Sequence, residues 1–253
     1  MKFKMYTLEH KSEYLNSNIL NERFSKEEIN NVSNMEGYYE INSYESLLYN
    51  FLSKQSIKLC TIPYLVQRIE DNNYNNILSL GSGSCVIEHL LSYSTSDECN
   101  IFATDFNQVH ISLSQRYFKN IFSENFDFFT DNIKYLSNKY NTIFDIAYFQ
   151  NSAYVMDDSE FIKLLIQLKN EGVQEIIDFR TSIPIISYPK IIGGALKRNL
   201  ITNYSKDNKY FGKFHGYQRS GTNIKKLYDK AGFKLERVDK IKPYTFTAII
   251  KPD

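Results

Sequence analysis

Apolar positions along the chain change their rhythm near residue 76. Before it, residues 1–75 are polar and aromatic, with helical patches in "YESLLYNFLSKQ" and "TIPYLVQRIED" and no convincing strand pattern. After it, short apolar runs alternate with amphipathic stretches. "NNILSL" predicts a strand, "SCVIEHLLSY" a helix and "NIFATDF" a second strand. "NQVHISLSQRYFKNIF" predicts the next helix, capped by Asn107. "FDFFTD" reads as a third, weaker strand and "YNTIFDIAYFQ" as a fourth. In "DDSEFIKLLIQLKNEG" the residues Phe161, Leu164, Leu165 and Leu168 fall at i, i+3, i+4 and i+7. Acidic residues and Ser159 open that helix, and Gly172 lies just past its end. "VQEIIDFR" predicts a fifth strand. Strands alternating with amphipathic helices imply an α/β fold, a mainly parallel sheet with helices on both faces.

The last third reads differently. Residues 182–218 hold two prolines, a Gly-Gly pair and no clean period, the profile of an insertion or long functional connection. Regular structure then returns, with Thr222 as the expected cap of "NIKKLYDKA" and Gly232 as its end. "FKLERVDKI" and "YTFTAIIKP" predict two strands. The link "KIKPY" is too short for a crossover helix, so these two strands are expected to pair antiparallel.

Composition narrows the class. With 42% hydrophobic and 15% aromatic residues the chain can bury a sizeable core. No run approaches the ~18 apolar residues of a membrane span. The start, "MKFKMYTLEHKSEY", lacks the apolar segment of a signal peptide, and Cys60, Cys85 and Cys99 form neither a disulfide framework nor a zinc pattern. These features lead us to expect a cytoplasmic protein. Charge adds an asymmetry. Residues 1–182 carry 15 Lys and Arg against 24 Asp and Glu, whereas residues 183–253 carry 15 against 5. The first part is net −9 and the second net +10, which points to an anionic partner or to a lysine-rich solvated surface.

The candidate chemistry sits at the first strand. In "ILSLGSGSCVIEHLL" a strand ends at Leu80, and Gly81-Ser82-Gly83-Ser84 leads into a helix. Such a turn brings bare backbone N–H groups to the ligand-binding edge of an open sheet. Asp105 ends the next strand, 24 residues after Gly81, where a carboxylate can accept from both hydroxyls of a ribose. A dinucleotide site would need a third glycine at position 86, which is Val86, and no Gly-Lys-Ser/Thr follows for a Walker-type phosphate loop.

On these residues the chain resembles the class I (seven-stranded, Rossmann-like) S-adenosylmethionine-dependent methyltransferases. The resemblance rests on "ILSLGSGSC", "IFATDFN", "FFTDN", "FDIAYFQNSAYVMDD" and "HGYQRSGTNIKKLYDKAGFKLERVDKI", and spans roughly residues 70–253. The antiparallel terminal hairpin separates it from dehydrogenases. The family usually has an acid where Ser79 stands, and often a third glycine where Cys85 stands. The resemblance implies S-adenosyl-L-methionine as cofactor and assigns roles. Gly81, Ser82 and Gly83 would face its methionine part. Asp105 would hold the ribose and Phe106 the adenine, with Asp131 and the Asn132 backbone reading the adenine edge. Gln150 would offer its carbonyl to the amino group. Asp131 and Asn132 can equally be plain turn residues, and Phe106 plain core.

The resemblance also places acceptor-binding residues just before the terminal helix. His215, in "KFHGYQRS", is the candidate general base. Tyr217, Arg219 and Arg180 are candidates to bind an anionic group, with an ion pair to Asp178 as the alternative for Arg180. Asp178 stands alone at its strand tip, too few oxygens for a hard cation, so no metal is expected. The "Asn-Pro-Pro-Tyr" type signature of amino-group nucleic-acid methylases is absent, and "FQNSAY" stands there.

The resulting expectation is a metal-independent enzyme that methylates a hydroxyl or amine of a small anionic molecule. Alternatives are a methyltransferase acting on RNA or protein, and a non-catalytic cofactor-binding protein. We expect residues 1–70 to form a helical cap over the cofactor mouth, carrying aromatics such as Tyr38, Tyr39 and Tyr44. Residues 71–253 would form the cofactor-binding domain, with 183–219 as its substrate-side insertion.

Overall fold

Capping residues decide where the helices begin. The computed structural model describes residues 2–6, 41–182 and 214–253. Ser43 and Ser46 form a reciprocal capping box that starts α1 (Tyr44–Gln55). A 3₁₀ turn (Ser56–Cys60) joins it to α2 (Thr61–Asn72). Then follow β2 (Asn76–Leu80), α3 (Val86–Ser92), β3 (Asn100–Asp105) and α4 (Gln108–Tyr117), whose cap is Asn107 as expected. Next come β4 (Phe122–Asn125), α5 (Ile133–Tyr140), β5 (Ile146–Gln150) and α6 (Asp158–Asn170). Asp157 and Glu160 exchange hydrogen bonds in a second capping box at the head of α6. The chain ends with β6 (Glu175–Arg180), β7 (Phe214–Arg219), α7 (Gly221–Lys230), β8 (Phe233–Asp239) and β9 (Phe246–Pro252). The first strand, β1, is Lys2–Tyr6.

Seven strands form one sheet in the order β4-β3-β2-β5-β6-β9-β8. The pairs β2–β3, β2–β5, β3–β4 and β5–β6 are parallel, while β9 runs antiparallel to both β6 and β8. Chain order reverses direction at β2, which opens a crevice at its C-terminal end. The expected α/β sheet and terminal hairpin are therefore present.

Period-two alternation divides the core between the two faces. Ile77, Ile146, Tyr148 and Ile177 pack with α1–α4, and Leu78, Leu80, Ala147 and Ile176 pack with α5–α7. The stripe Phe161, Leu164, Leu165 and Leu168 of α6 is fully buried, and each such side chain contributes about 1.5–3 kcal/mol.

Five expectations need correction. First, "FDFFTD" is not a strand. The third strand is β4, in register with β3 at Phe102↔Phe122, so the preceding helix stops at Tyr117 instead of reaching Phe122. Residues 126–131 form turns because Asp127 and Asp131 turn their carboxylates onto local backbone N–H groups. Second, Ser220, not Thr222, caps α7, accepting from the Asn223 N–H. Third, α5, capped by Asn132, was not anticipated. Fourth, residues 1–75 do hold a strand: β1 pairs antiparallel with β7 in a separate two-stranded sheet. Its partner lies more than 200 positions away, so local pattern carries no sign of it. Fifth, residues 214–218, expected to be irregular, belong to β7. The rest of that segment, 183–213, lies outside the described residues, as do Tyr38 and Tyr39.

The N-terminal helices lie on the sheet. Leu47, Phe51, Leu65 and Ile69 share the core with strand residues. Tyr44 bonds the His89 Nε2 of α3 at 2.9 Å and packs on Phe118. The 3₁₀ turn between the helices reaches the C-terminal strand ends, where Gln150 Nε2 donates to the Lys58 carbonyl.

Candidate functional site

The turn after β2 is tied to the end of β3. The N–H groups of Gly81 and Ser82 both donate to the Thr104 carbonyl, each at 2.9 Å. The Gly83 N–H donates to Asp105 Oδ2 at 2.8 Å, and the Asn107 N–H to Asp105 Oδ1 at 2.9 Å. Glycine is required twice for different reasons. Gly81 has φ +76°, and a Cβ there would stand 2.4 Å from the Ser152 Cβ. Gly83 has φ +60°, and a Cβ there would meet nothing within 4 Å. One glycine is wedged against protein, and the other faces open space. Cys85, at φ +58°, completes the turn and starts α3.

Asp105 is buried, and its first task is to hold this turn. A carboxylate has about four acceptor positions, so two backbone donors leave capacity for ribose hydroxyls. His110 Nδ1 lies 3.8 Å from Asp105 Oδ1, behind the site. The Phe106 carbonyl and that of Asp105 both accept from Asn125 Nδ2, which locks the tips of β3 and β4 together. Asp131 accepts from the Asp127 N–H, and the Asn132 side chain caps α5 by accepting from Lys134. The side chains of both therefore serve the turn. Phe128, in that same turn, reaches to 3.2 Å of the position a Gly81 Cβ would take. Gln150 is anchored by donating to the Lys58 carbonyl and Thr61 Oγ1. The tips of β2, β3 and β5 thus hold Gly81, Ser82, Gly83, Asp105, Phe106 and Gln150 on one edge of the sheet, whereas Asp131 and Asn132 lie in the turn that leads from β4 into α5.

A second group forms at the end of β6. Asp178 accepts from Arg180 Nε at 3.1 Å and from the Tyr228 hydroxyl at 2.7 Å. Arg180 Nη2 lies 2.5 Å from Asp178 Oδ2, so the ion pair to Asp178 is present. Arg219 donates from Nε to Asp158 Oδ1 at 2.9 Å and from Nη2 to the Met156 carbonyl at 2.7 Å. Its guanidinium carbon lies 5.2 Å from the Tyr217 ring centroid, and that of Arg180 4.8 Å from Phe161. Burial opposes the charge of Arg180, but Asp178 more than offsets it and raises its pKa. Burial and the nearby Arg180 lower that of Arg219. Burial and Asp178 hold Tyr228 protonated, well above the ordinary phenol value.

His215 lies on β7, where the register steps from Met5↔Gly216 to Tyr6↔Phe214 and leaves it as the extra residue of a bulge. Among the described residues, no three His, Cys, Asp or Glu side chains gather as a metal site.

One buried acid was missed. Glu88 Oε1 accepts from Ser79 Oγ at 2.6 Å and from the Tyr148 hydroxyl at 2.7 Å. Ser79 and Tyr148 are register partners on adjacent strands, so both hydroxyls reach the same oxygen. Burial pushes the Glu88 carboxyl up, and Oε2 has no hydrogen-bond partner. A carboxyl thus arrives from α3 beside Ser79. The signal was Glu88 three positions before Leu91 in the run Val86–Leu91, the spacing of one helix face.

No family model matches the chain, and no curated protein matches it. Solved structures do match. A putative O-methyltransferase from Nostoc punctiforme superposes with TM-score 0.58 at 12% identity, over 81% of this chain and 59% of that one. The pyocyanin biosynthetic protein PhzM gives 0.55 at 13% identity, over 81% and 57%. The magnesium protoporphyrin IX methyltransferase of Synechocystis, with S-adenosylhomocysteine bound, gives 0.53 at 13%, over 77% and 83%. The chain covers less than two thirds of the first two. No long apolar helix able to cross a membrane occurs among the described residues. Sheet order, terminal hairpin and these superpositions agree that the chain has the fold of the class I S-adenosylmethionine-dependent methyltransferases.

Proposed function

We propose that the protein is a metal-independent S-adenosylmethionine-dependent methyltransferase acting on a hydroxyl or amine of a small anionic molecule. One observation carries the cofactor assignment: the Gly81–Ser84 turn and the Asp105 carboxylate are hydrogen-bonded into a single unit beside open space at Gly83. The residues fit the cofactor. Gly81, Ser82 and Gly83 would line its methionine part. Asp105 retains acceptor capacity for the ribose, and Phe106 stands next to it. Asp131 and the Asn132 backbone would flank the adenine, and the Gln150 carbonyl would meet an amino group.

The bound cofactor supplies an electrophilic methyl group on a sulfonium. The chain's own share is to align an acceptor with it, exclude water and remove the acceptor's proton. His215 would take that proton. Arg180, Tyr217 and Arg219 would hold the acceptor's anionic group. Residues 1–70 would cap the mouth of the site. A cytoplasmic setting agrees with the three unpaired cysteines.

Calorimetry with S-adenosylhomocysteine against NAD tests the assignment. Binding of the first and not the second is expected. Asp105→Ala should weaken it by roughly 1.5–3 kcal/mol for each lost bond to the charged acceptor. Binding of NAD alone would overturn the reading. With an acceptor in hand, His215→Ala should lower turnover and spare cofactor affinity.

A further inference from the structure

Arg180 at the tip of β6 and Arg219 at the end of β7 are almost completely shielded from water, at 4% and 1% exposure. Burying even one guanidinium is costly, and burying two within electrostatic range of each other is costlier. Their partners do not balance them. Asp178, at 1% exposure, answers Arg180, but the Asp158 side chain that answers Arg219 is 35% exposed and shares its charge with solvent. Tyr228, the remaining buried titratable group here, is neutral. Among the described residues, the fully buried members, two arginines and one aspartate, leave an excess of one positive charge.

Hydrogen bonding shows the same deficit. Arg180 Nη1 and Arg219 Nη1 are buried and have no acceptor. Arg180 Nη2 sits close to Asp178 but outside hydrogen-bond geometry. Unmet donors on a charged group are among the least tolerated features of a protein interior. Two of them, on different strands at the ligand-binding edge, mark a place where an acceptor belongs. Phe161 beneath Arg180 and Tyr217 beneath Arg219 fix the planes of the two forks.

We propose that Arg180 and Arg219 form a subsite for a carboxylate of the acceptor molecule, with one carboxylate oxygen for each free Nη1. This deepens the reading of the edge as a methyl-acceptor site and rests on it. A carboxylate is planar, presents two oxygens to two donors, and its single charge cancels the buried excess. A phosphate monoester carries close to two charges at neutral pH and would reverse the imbalance. Neither Nη1 atom faces solvent, so occupancy requires local opening around the two side chains. The subsite then couples the small β1–β7 sheet to the main sheet, because its two donors come from opposite sides of that junction.

Thermal unfolding of the full chain tests this, with sodium benzoate, inorganic phosphate and chloride at matched ionic strength, with and without S-adenosylhomocysteine. Benzoate should raise the Tm progressively, while phosphate should do no more than chloride. Arg219→Lys keeps a charge but loses the fork, and should weaken the apparent benzoate affinity about tenfold. Arg180→Met and Arg219→Met should abolish the shift. Should either Met variant fail to fold, Arg219→Lys still decides. A phosphate shift equal to that of benzoate, no benzoate shift, or an unchanged shift in Arg219→Lys would each overturn the proposal. If benzoate behaves as expected but S-adenosylhomocysteine does not bind, the subsite stands and the methyl-transfer reading fails.

Discussion

The two ends of the ligand edge are built on opposite principles. At the tips of β2 and β3 the parts are backbone N–H groups and one carboxylate, satisfied by near neighbours and shaped by two glycines. At the tips of β6 and β7 the parts are charged side chains from three elements and a neutral phenol from a fourth, and their hydrogen bonding is incomplete. The first end is finished before any ligand arrives. The second is left short of an acceptor. A preformed turn suits a ligand held the same way each time, whereas an unsatisfied pair of arginines suits recognition by charge.

Breaking the arginine end should have the largest effect on stability. Asp178→Ala strips Arg180 and Tyr228 of their shared partner, and a buried charge left unpaired typically costs about 3–5 kcal/mol. Urea unfolding reads this directly, and a loss below that of any glycine variant would reverse the contrast drawn above. Gly81→Ala comes next. Its Cβ would collide with Ser152 at positive φ, and overpacking plus backbone strain together should cost about 2–4 kcal/mol. Gly83→Ala meets no atom, so only the strain of its φ applies, about 1–2 kcal/mol. Its methyl nevertheless enters the open space. We expect a folded protein with at least tenfold weaker S-adenosylhomocysteine binding by calorimetry. Equal binding would place the ligand elsewhere.

The smallest effect is a pH slope. Burial raises the Glu88 pKa above its ordinary 4.5, so the folded protein keeps a proton that the unfolded chain has released. This group's stabilisation is complete below 4.5 and is lost as pH rises through the folded value. Glu88→Gln still offers an oxygen to Ser79 and Tyr148 but cannot ionise. Unfolding followed across pH should show that stretch of the slope flattened in the variant. An unchanged slope would mean that Glu88 is ionised in the folded protein.

Where a residue's partners are close in sequence, pattern alone located it. The α6 stripe, its acidic start and the hairpin β8–β9 depend on spacing within a few positions or on one short link, and the glycine turn on the count of residues in one strand–helix–strand unit. Errors fell where local chemistry offered two outcomes. "FDFFTD" has the aromatic content of a strand, yet its aspartates accept from their own backbone and make turns. Ser220 and Thr222 are both competent caps, and the entry from β7 selected the first. Strand β1 leaves no local sign because a strand is defined by its partner, and that partner lies more than 200 positions away.

The sequence by itself determined the alternating architecture, the position of the cofactor-type turn and the acid that ends β3. Each is specified by periodicity, by positive φ that only small residues adopt readily, or by a fixed count of residues along one strand–helix unit. Tertiary structure alone decided that Glu88 supplies a carboxyl beside Ser79, and that Arg180 and Arg219 are both buried with donors left unmet. It also decided that β1 and β7, more than 200 positions apart, meet in a second small sheet. These features follow from burial and from groups brought together across separations of 9 to more than 200 positions, quantities that exist only once the chain has closed on itself.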